Sequence, residues 1–155
     1  MHKPKGFFIT GGVGISSTSS LNAFDNALKD AGLSDYNLIP VSSIIPGNAE
    51  EIEPLGFEKG SIVFVVMGRC HGNQGDDLTA GIAWAKAKDG SVGMVMEYDG
   101  RGVNAEAARV ELERRVKEAF AVRGLEAGEV SHHLEMLRVP EGSHGCAVAC
   151  LVFTL

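Results

Sequence analysis

Apolar and polar positions along the chain fall into short runs broken by glycine-rich turns, and only two stretches carry a helical period. Gly6 to Thr10 is an apolar run that predicts a first strand, and Gly11 to Ser20, made of glycines and hydroxyl residues, reads as a loop. Ser20 suits an N-cap; beyond it Leu21, Phe24, Leu28 and Ala31 form one apolar stripe and Gly32 supplies a stop, which predicts the first helix. Tyr36 to Val41 reads as a buried second strand, and the acidic, aperiodic Asn48 to Lys59 as surface loop. Ser61 to Met67 is apolar throughout, as expected of a central strand. Leu78 to Ala87 and Ser91 to Tyr98 read as further strands, the latter with Val92, Met94 and Met96 on one face. The clearest helix runs from the N-cap Asn104 to Arg123, with Ala108, Leu112, Val116, Ala119 and Phe120 on its apolar side and Gly124 at its end. Glu111 with Arg115, and Glu113 with Lys117, are i,i+4 pairs on its solvated face. His132 to Val139 and Cys146 to Thr154 predict the last two strands.

Strands in hairpin-like succession with two helices point to an α/β protein of the α+β type, a sandwich with largely antiparallel sheets. At 155 residues the chain suits a single domain with a substantial core. A net charge of −6 argues against nucleic acid and anionic membrane as partners and modestly favours a cationic substrate. Cys70, Cys146 and Cys150 are odd in number and unlike a disulfide framework, and the last two, four residues apart on a strand, lie about 13 Å apart. The opening Met1-His2-Lys3-Pro4-Lys5 leads into too few apolar residues for a signal peptide or a membrane span, so the expected compartment is the cytoplasm.

The segment with the most chemistry is Asn37-Leu38-Ile39-Pro40-Val41-Ser42-Ser43-Ile44-Ile45-Pro46. Branched aliphatics flank its two adjacent hydroxyls, which are therefore expected to be held away from water. A constrained serine hydroxyl can attack the carbonyl carbon of the residue before it and turn the amide into an ester. Elimination then breaks the chain, and hydrolysis of the resulting dehydroalanine leaves a pyruvoyl group on the new N-terminus. The plainer alternative is a strand end stopped by hydroxyls and a proline.

The run Leu21-Asn22-Ala23-Phe24-Asp25-Asn26-Ala27-Leu28, the Asn37–Pro46 segment, Met96-Glu97-Tyr98 and Gly145-Cys146-Ala147 resemble, in order and spacing, the pyruvoyl-dependent arginine decarboxylases. The resemblance runs over nearly the whole chain. Two departures are Gly47, where many relatives carry a second proline, and the stretch Gly68 to Asp77, which bears on subunit contacts and substrate preference. The resemblance implies helices covering two sheets, an αββα-like layering, in a subunit that assembles as a homotrimer or a dimer of trimers. It also implies cleavage between Ser42 and Ser43 into 1–42 and 43–155, a covalent pyruvoyl group derived from Ser43, and decarboxylation of arginine to agmatine and carbon dioxide, a step of polyamine biosynthesis.

Removing carbon dioxide from an amino acid leaves a carbanion that needs an electron sink, which a pyruvoyl group supplies in place of pyridoxal phosphate. The resemblance makes Glu97 the acid that returns a proton; burial at the end of an apolar strand would raise its carboxyl pKa. Asp25, mid-helix in an apolar segment, is the candidate partner for the substrate guanidinium, a geometry that suits a bidentate pair. Asn37 is the candidate to orient a carbonyl or the oxyanion formed during self-cleavage, or else it caps a neighbouring turn.

Two other function classes compete: a phosphate- or nucleotide-binding module built on Gly11-Gly12-Val13-Gly14, and an unprocessed structural relative with the chemistry lost. The glycine run lacks both the G-x-G-x-x-G spacing and a G-K-[ST] signature. His132 and His133, neighbours on a strand, face opposite ways, and His71, His144 and Cys70 are separated in sequence, so no metal site is expected.

Overall fold

Every residue from 1 to 155 is described by a computed structural model, with nine strands and two helices. In chain order these are β1 (Gly6–Ser16), α1 (Ser20–Asp30), β2 (Asn37–Pro40), β3 (Ile44–Pro46), β4 (Glu50–Glu51) and β5 (Ile62–Asn73). Then follow β6 (Asp77–Lys86), β7 (Val92–Arg101), α2 (Ala105–Ala121), β8 (Ser131–Arg138) and β9 (His144–Thr154). One sheet has the order β2-β5-β9-β1-β4 and the other β3-β7-β6-β8. Pairing is antiparallel except at the two edges of the larger sheet, where β2 lies parallel to β5 and β4 parallel to β1.

Strand β9 explains how the layers share one core. Gly145 to Phe153 is buried without a break, as happens when both faces of a strand are covered. Cys146, Val148, Cys150 and Val152 pack with Ala23, Ala27 and Leu28 of α1. Their alternates Ala147, Ala149, Leu151 and Phe153 join Leu78, Ala80, Ile82 and Val95 of the smaller sheet. A third cluster seats Leu112, Val116 and Phe120 of α2 on Ala83, Met94 and Tyr98.

Several expectations are corrected. Gly11 to Ser16 is not a loop: β1 runs through it, paired residue for residue with Ala149 to His144. Its glycines serve helix packing. A Cβ on Gly12 would sit 2.6 Å from Ala27 O, and one on Gly14 would overlap Ala23 O. The close approach also sets the helix's buried face, which is made of Ala23, Ala27, Leu28 and Ala31, while Leu21 is 74% exposed. The N-cap is Ser19, whose Oγ accepts from Asn22 N–H, one residue before the expected Ser20. Strand β2 is an exposed edge rather than a buried strand, because nothing pairs with it beyond β5. Strand β5 continues past Met67 to Asn73, and Glu50–Glu51 of the acidic segment adds a short strand to β1. At Gly68 the two sheets meet backbone to backbone, since a Cβ there would lie 2.5 Å from Gly81 O and 2.8 Å from Tyr98 O.

The α1–β1 contact generates a stability prediction. Gly14→Ala forces a methyl into the helix backbone and is expected to destabilise the fold by about 2 kcal/mol, measured by urea unfolding, despite the small entropy gain of losing a glycine. A change below about 0.5 kcal/mol, the range of neutral surface substitutions, contradicts the close packing.

Candidate active site

The chain passes from one sheet to the other between β2 and β3, and the two serines lie in that crossing. Val41 N–H donates to Val65 O at 2.9 Å, which fixes the start of the crossing to the larger sheet. Two residues later Ser43 O accepts from Val95 N–H at 2.9 Å, which fixes its end to the smaller one. Ser42, between these anchors, is exposed, against the expectation of shelter, and Ser43 is half-buried. A cavity of about 420 Å³ opens beside Ser42, with Val41, Ile44, Phe64 and Phe153 in its wall. Pro46 closes β3 at the sheet edge, where a missing N–H costs no ladder bond.

Glu97 lies on β7, two residues beyond the anchor at Val95, about 7 Å along the strand. It stands opposite Ile82 of β6. Contrary to the sequence expectation its side chain is exposed in the single chain, and β3, which pairs from Ile44 opposite Met94, does not extend alongside it. Arg115 of α2 reaches this strand: its Nη1 donates to Glu97 O at 2.8 Å, and its guanidinium carbon lies 5.4 Å from the centre of the Tyr98 ring. Behind it, Glu111 accepts from Arg115 Nε at 3.0 Å and from Arg114 Nη2 at 2.7 Å. Hydrogen bonds from Arg114 and then Arg115 hold the Glu111 carboxyl down at about 2.

Asn37 opens β2, about 13 Å of extended chain before Val41, and its Nδ2 donates to Gly60 O at 2.9 Å. Asp25 is an exposed position on α1, on the face of the larger sheet that points away from the smaller one. One chain therefore gathers Ser42, Ser43 and Glu97 at one edge and leaves Asn37 and Asp25 apart from them.

Several of the remaining chemistry-bearing residues have local partners, whereas the buried Nε2 of His132 has none. His133 Nε2 lies 2.9 Å from Glu135 Oε1. His71 Nδ1 is 2.9 Å from Ser20 Oγ, and its Nε2 faces Cys146 Sγ at 3.9 Å. All three cysteines are free and buried, and burial pushes the Cys146 and Cys150 thiols up to about 12. Two groups that shape the candidate site escape sequence reasoning. The Val95 amide is a backbone donor with no side-chain signature, and Arg115 carries only the signature of a surface ion pair.

A family model described as pyruvoyl-dependent arginine decarboxylase matches residues 6–155. The pyruvoyl-dependent arginine decarboxylase of Methanothermobacter thermautotrophicus is 38% identical over 151 residues, covering 94% of this chain and 93% of that protein. That of Methanopyrus kandleri is 34% identical over 153 residues, covering 99% of each. The protein of the same description from Methanocaldococcus jannaschii is 36% identical over 136 residues, 83% of this chain and 78% of its own.

Proposed function

This chain belongs to the pyruvoyl-dependent arginine decarboxylase family, carboxy-lyases with a covalent pyruvoyl group, and from that premise we propose that it converts L-arginine to agmatine and carbon dioxide after cutting itself between Ser42 and Ser43. The observation that carries the reading is the pair of anchors on either side of Ser42, one on each sheet. Held at both ends, the Ser42–Ser43 peptide has little freedom to swing its carbonyl away from the Ser43 hydroxyl. Ser43 Oγ adds to the Ser42 carbonyl carbon, the C–N bond opens, and an ester joins the two residues. Elimination across Cα–Cβ of Ser43 releases the Ser42 carboxylate, and hydrolysis of the dehydroalanine expels ammonia. The domain then consists of the segments 1–42 and 43–155.

Ser43 fits the family's prosthetic group, since its carbonyl is already fixed by Val95 and an apolar cavity opens beside the neighbouring residue. When formed, the pyruvoyl group supplies the electron sink for decarboxylation. Glu97, on the strand that holds Ser43, returns the proton to the substrate Cα. Asp25 pairs with the substrate guanidinium, a charge-assisted contact suited to a planar fork. Asn37, its amide engaged with Gly60, bears on self-cleavage by setting where β2 lies.

Because the larger sheet stands between Asp25 and Ser43 in one chain, the Asp25 that meets the substrate comes from a neighbouring copy in a homotrimer. Leu21, 74% exposed, shares the Asp25 face of α1, and Ile39 and Ile44, each 42% exposed, flank the crossing, so both surfaces have apolar area to bury. The αββα layering is supported by the three core clusters. No helix is long and apolar enough to cross a membrane.

Two outcomes test this reading. Denatured protein should give the masses of 1–42 and 43–155, the latter with a keto-blocked N-terminus, and Ser43→Ala should stay intact and inactive. An active, uncut chain of 155 residues contradicts it. Asp25→Asn and Ser43→Ala copies, each nearly inactive alone, should regain turnover when co-assembled, because a mixed interface joins one intact Asp25 to one intact Ser43. Failure to regain activity in verified mixed trimers contradicts the shared site.

A further inference from the structure

Strand β7 outruns its partner at the edge of the smaller sheet. In an antiparallel ladder a residue's N–H and C=O point to the same side, and the side alternates along the strand. Val95 N–H points at β3, so Glu97, two residues on, also turns its N–H and C=O to the β3 side. β3, however, pairs only as far as Ile44 opposite Met94. The Glu97 carbonyl thus faces a strand edge with no strand to receive, and Arg115 supplies the missing donor at 2.8 Å.

We propose that Arg115 is a positioning residue for the decarboxylation step, a clamp from α2 that fixes the main chain of Glu97 and so aims its carboxyl group, which gives up the proton, at the substrate carbon. This rests on the role of Glu97 given above. Three contacts hold the guanidinium: the bond to Glu97 O, the 3.0 Å bond to Glu111, and the Tyr98 ring beneath it. Glu111 in turn accepts from Nε and Nη2 of Arg114, at 3.0 and 2.7 Å, which gives the clamp a base on the helix. The helix is anchored to the same strand, since Leu112, Val116 and Phe120 of α2 share a buried cluster with Met94 and Tyr98. The geometry suits arginine in particular. A planar fork can donate to a carboxylate and a carbonyl in different directions at once, whereas an ammonium on a flexible stem holds neither direction. Arg115 lies on the α2 side of β7, with Tyr98, while Glu97 alternates to the other face, so Arg115 reaches the chemistry only through the strand. Small displacements of a catalytic group are costly to turnover, and this clamp removes one such freedom.

The test compares Arg115→Ala, Arg115→Lys, Glu97→Gln and the Arg115→Ala/Glu97→Gln double variant, with kcat, KM for arginine and fragment masses measured for each. Arg115→Ala should be fully cut, because the Val95–Ser43 bond is untouched, yet lose about tenfold in kcat with KM within about twofold. Arg115→Lys should recover part of that loss. In the Glu97→Gln background the Arg115 change should cost nothing further, since a clamp has no effect once the carboxyl group it aims is gone. A general loss of structure would instead multiply the two effects. Normal kcat in Arg115→Ala beside an impaired Glu97→Gln overturns the clamp alone, as does multiplication of the two losses. Normal turnover in Glu97→Gln removes the carboxyl group's role and the clamp with it. Should Arg115→Ala fail to fold, Arg115→Lys alone and in the Glu97→Gln background carries the same comparison.

Discussion

Two backbone hydrogen bonds, Val41 N–H to Val65 O and Val95 N–H to Ser43 O, tie residues only two apart to two different sheets. An edge strand ordinarily ends in a turn whose residues relax into solvent, but here the crossing is held at both ends while its middle residue stays open. Each sheet has a covered centre, the larger in β9, buried from Gly145 to Phe153, and the smaller in β6 between β7 and β8. Their separation is set where Gly68 lets β5 touch the backbones at Gly81 and Tyr98. The distance the crossing must span is therefore a property of the whole core, and the geometry around Ser42 inherits its stiffness.

The same edge explains why the candidate catalytic groups cluster where they do. Because β3 is short, β7 presents its later residues to an open margin, and Glu97 falls two residues past the Val95 anchor of the serine crossing. A longer β3 would have paired the Glu97 backbone and closed the space a substrate needs. The shortfall leaves one carbonyl to be satisfied, and the helix lying on the other face supplies Arg115. In one chain this margin is left open, and Leu21, Ile39, Ile44 and Asp25 remain exposed.

Much of this was legible in the residues. The helical stripe from Ala108 to Phe120 and its Asn104 cap are found as expected, since that period survives any tertiary context. The serine segment and Met96-Glu97-Tyr98 are marked by sequence motifs alone. The errors have physical causes. Gly11 to Gly14 looks like a loop because glycine is read as a turn former, yet its role is to let α1 sit on β1. Leu21 fits the apolar stripe, but the close approach turns the alanines inward instead. Strand β2 reads as buried because aliphatics fill it, whereas edge position depends on which strands pair, a long-range property. The Glu111–Arg115 pair follows the i,i+4 rule, which says nothing of a third partner on another element.

The central claim is that fixing Ser43 O through the Val95 amide prepares the chain to cut itself. The direct test replaces that one N–H by an ester oxygen, in a semisynthetic chain with the α-hydroxy analogue of valine at position 95, and follows the appearance of the 1–42 fragment by mass after refolding. Loss of a single hydrogen bond worth about 1.4 kcal/mol in the attacking geometry should slow cleavage about tenfold while the fold persists by circular dichroism. A folded ester chain that cuts as fast as the all-amide chain would contradict the account.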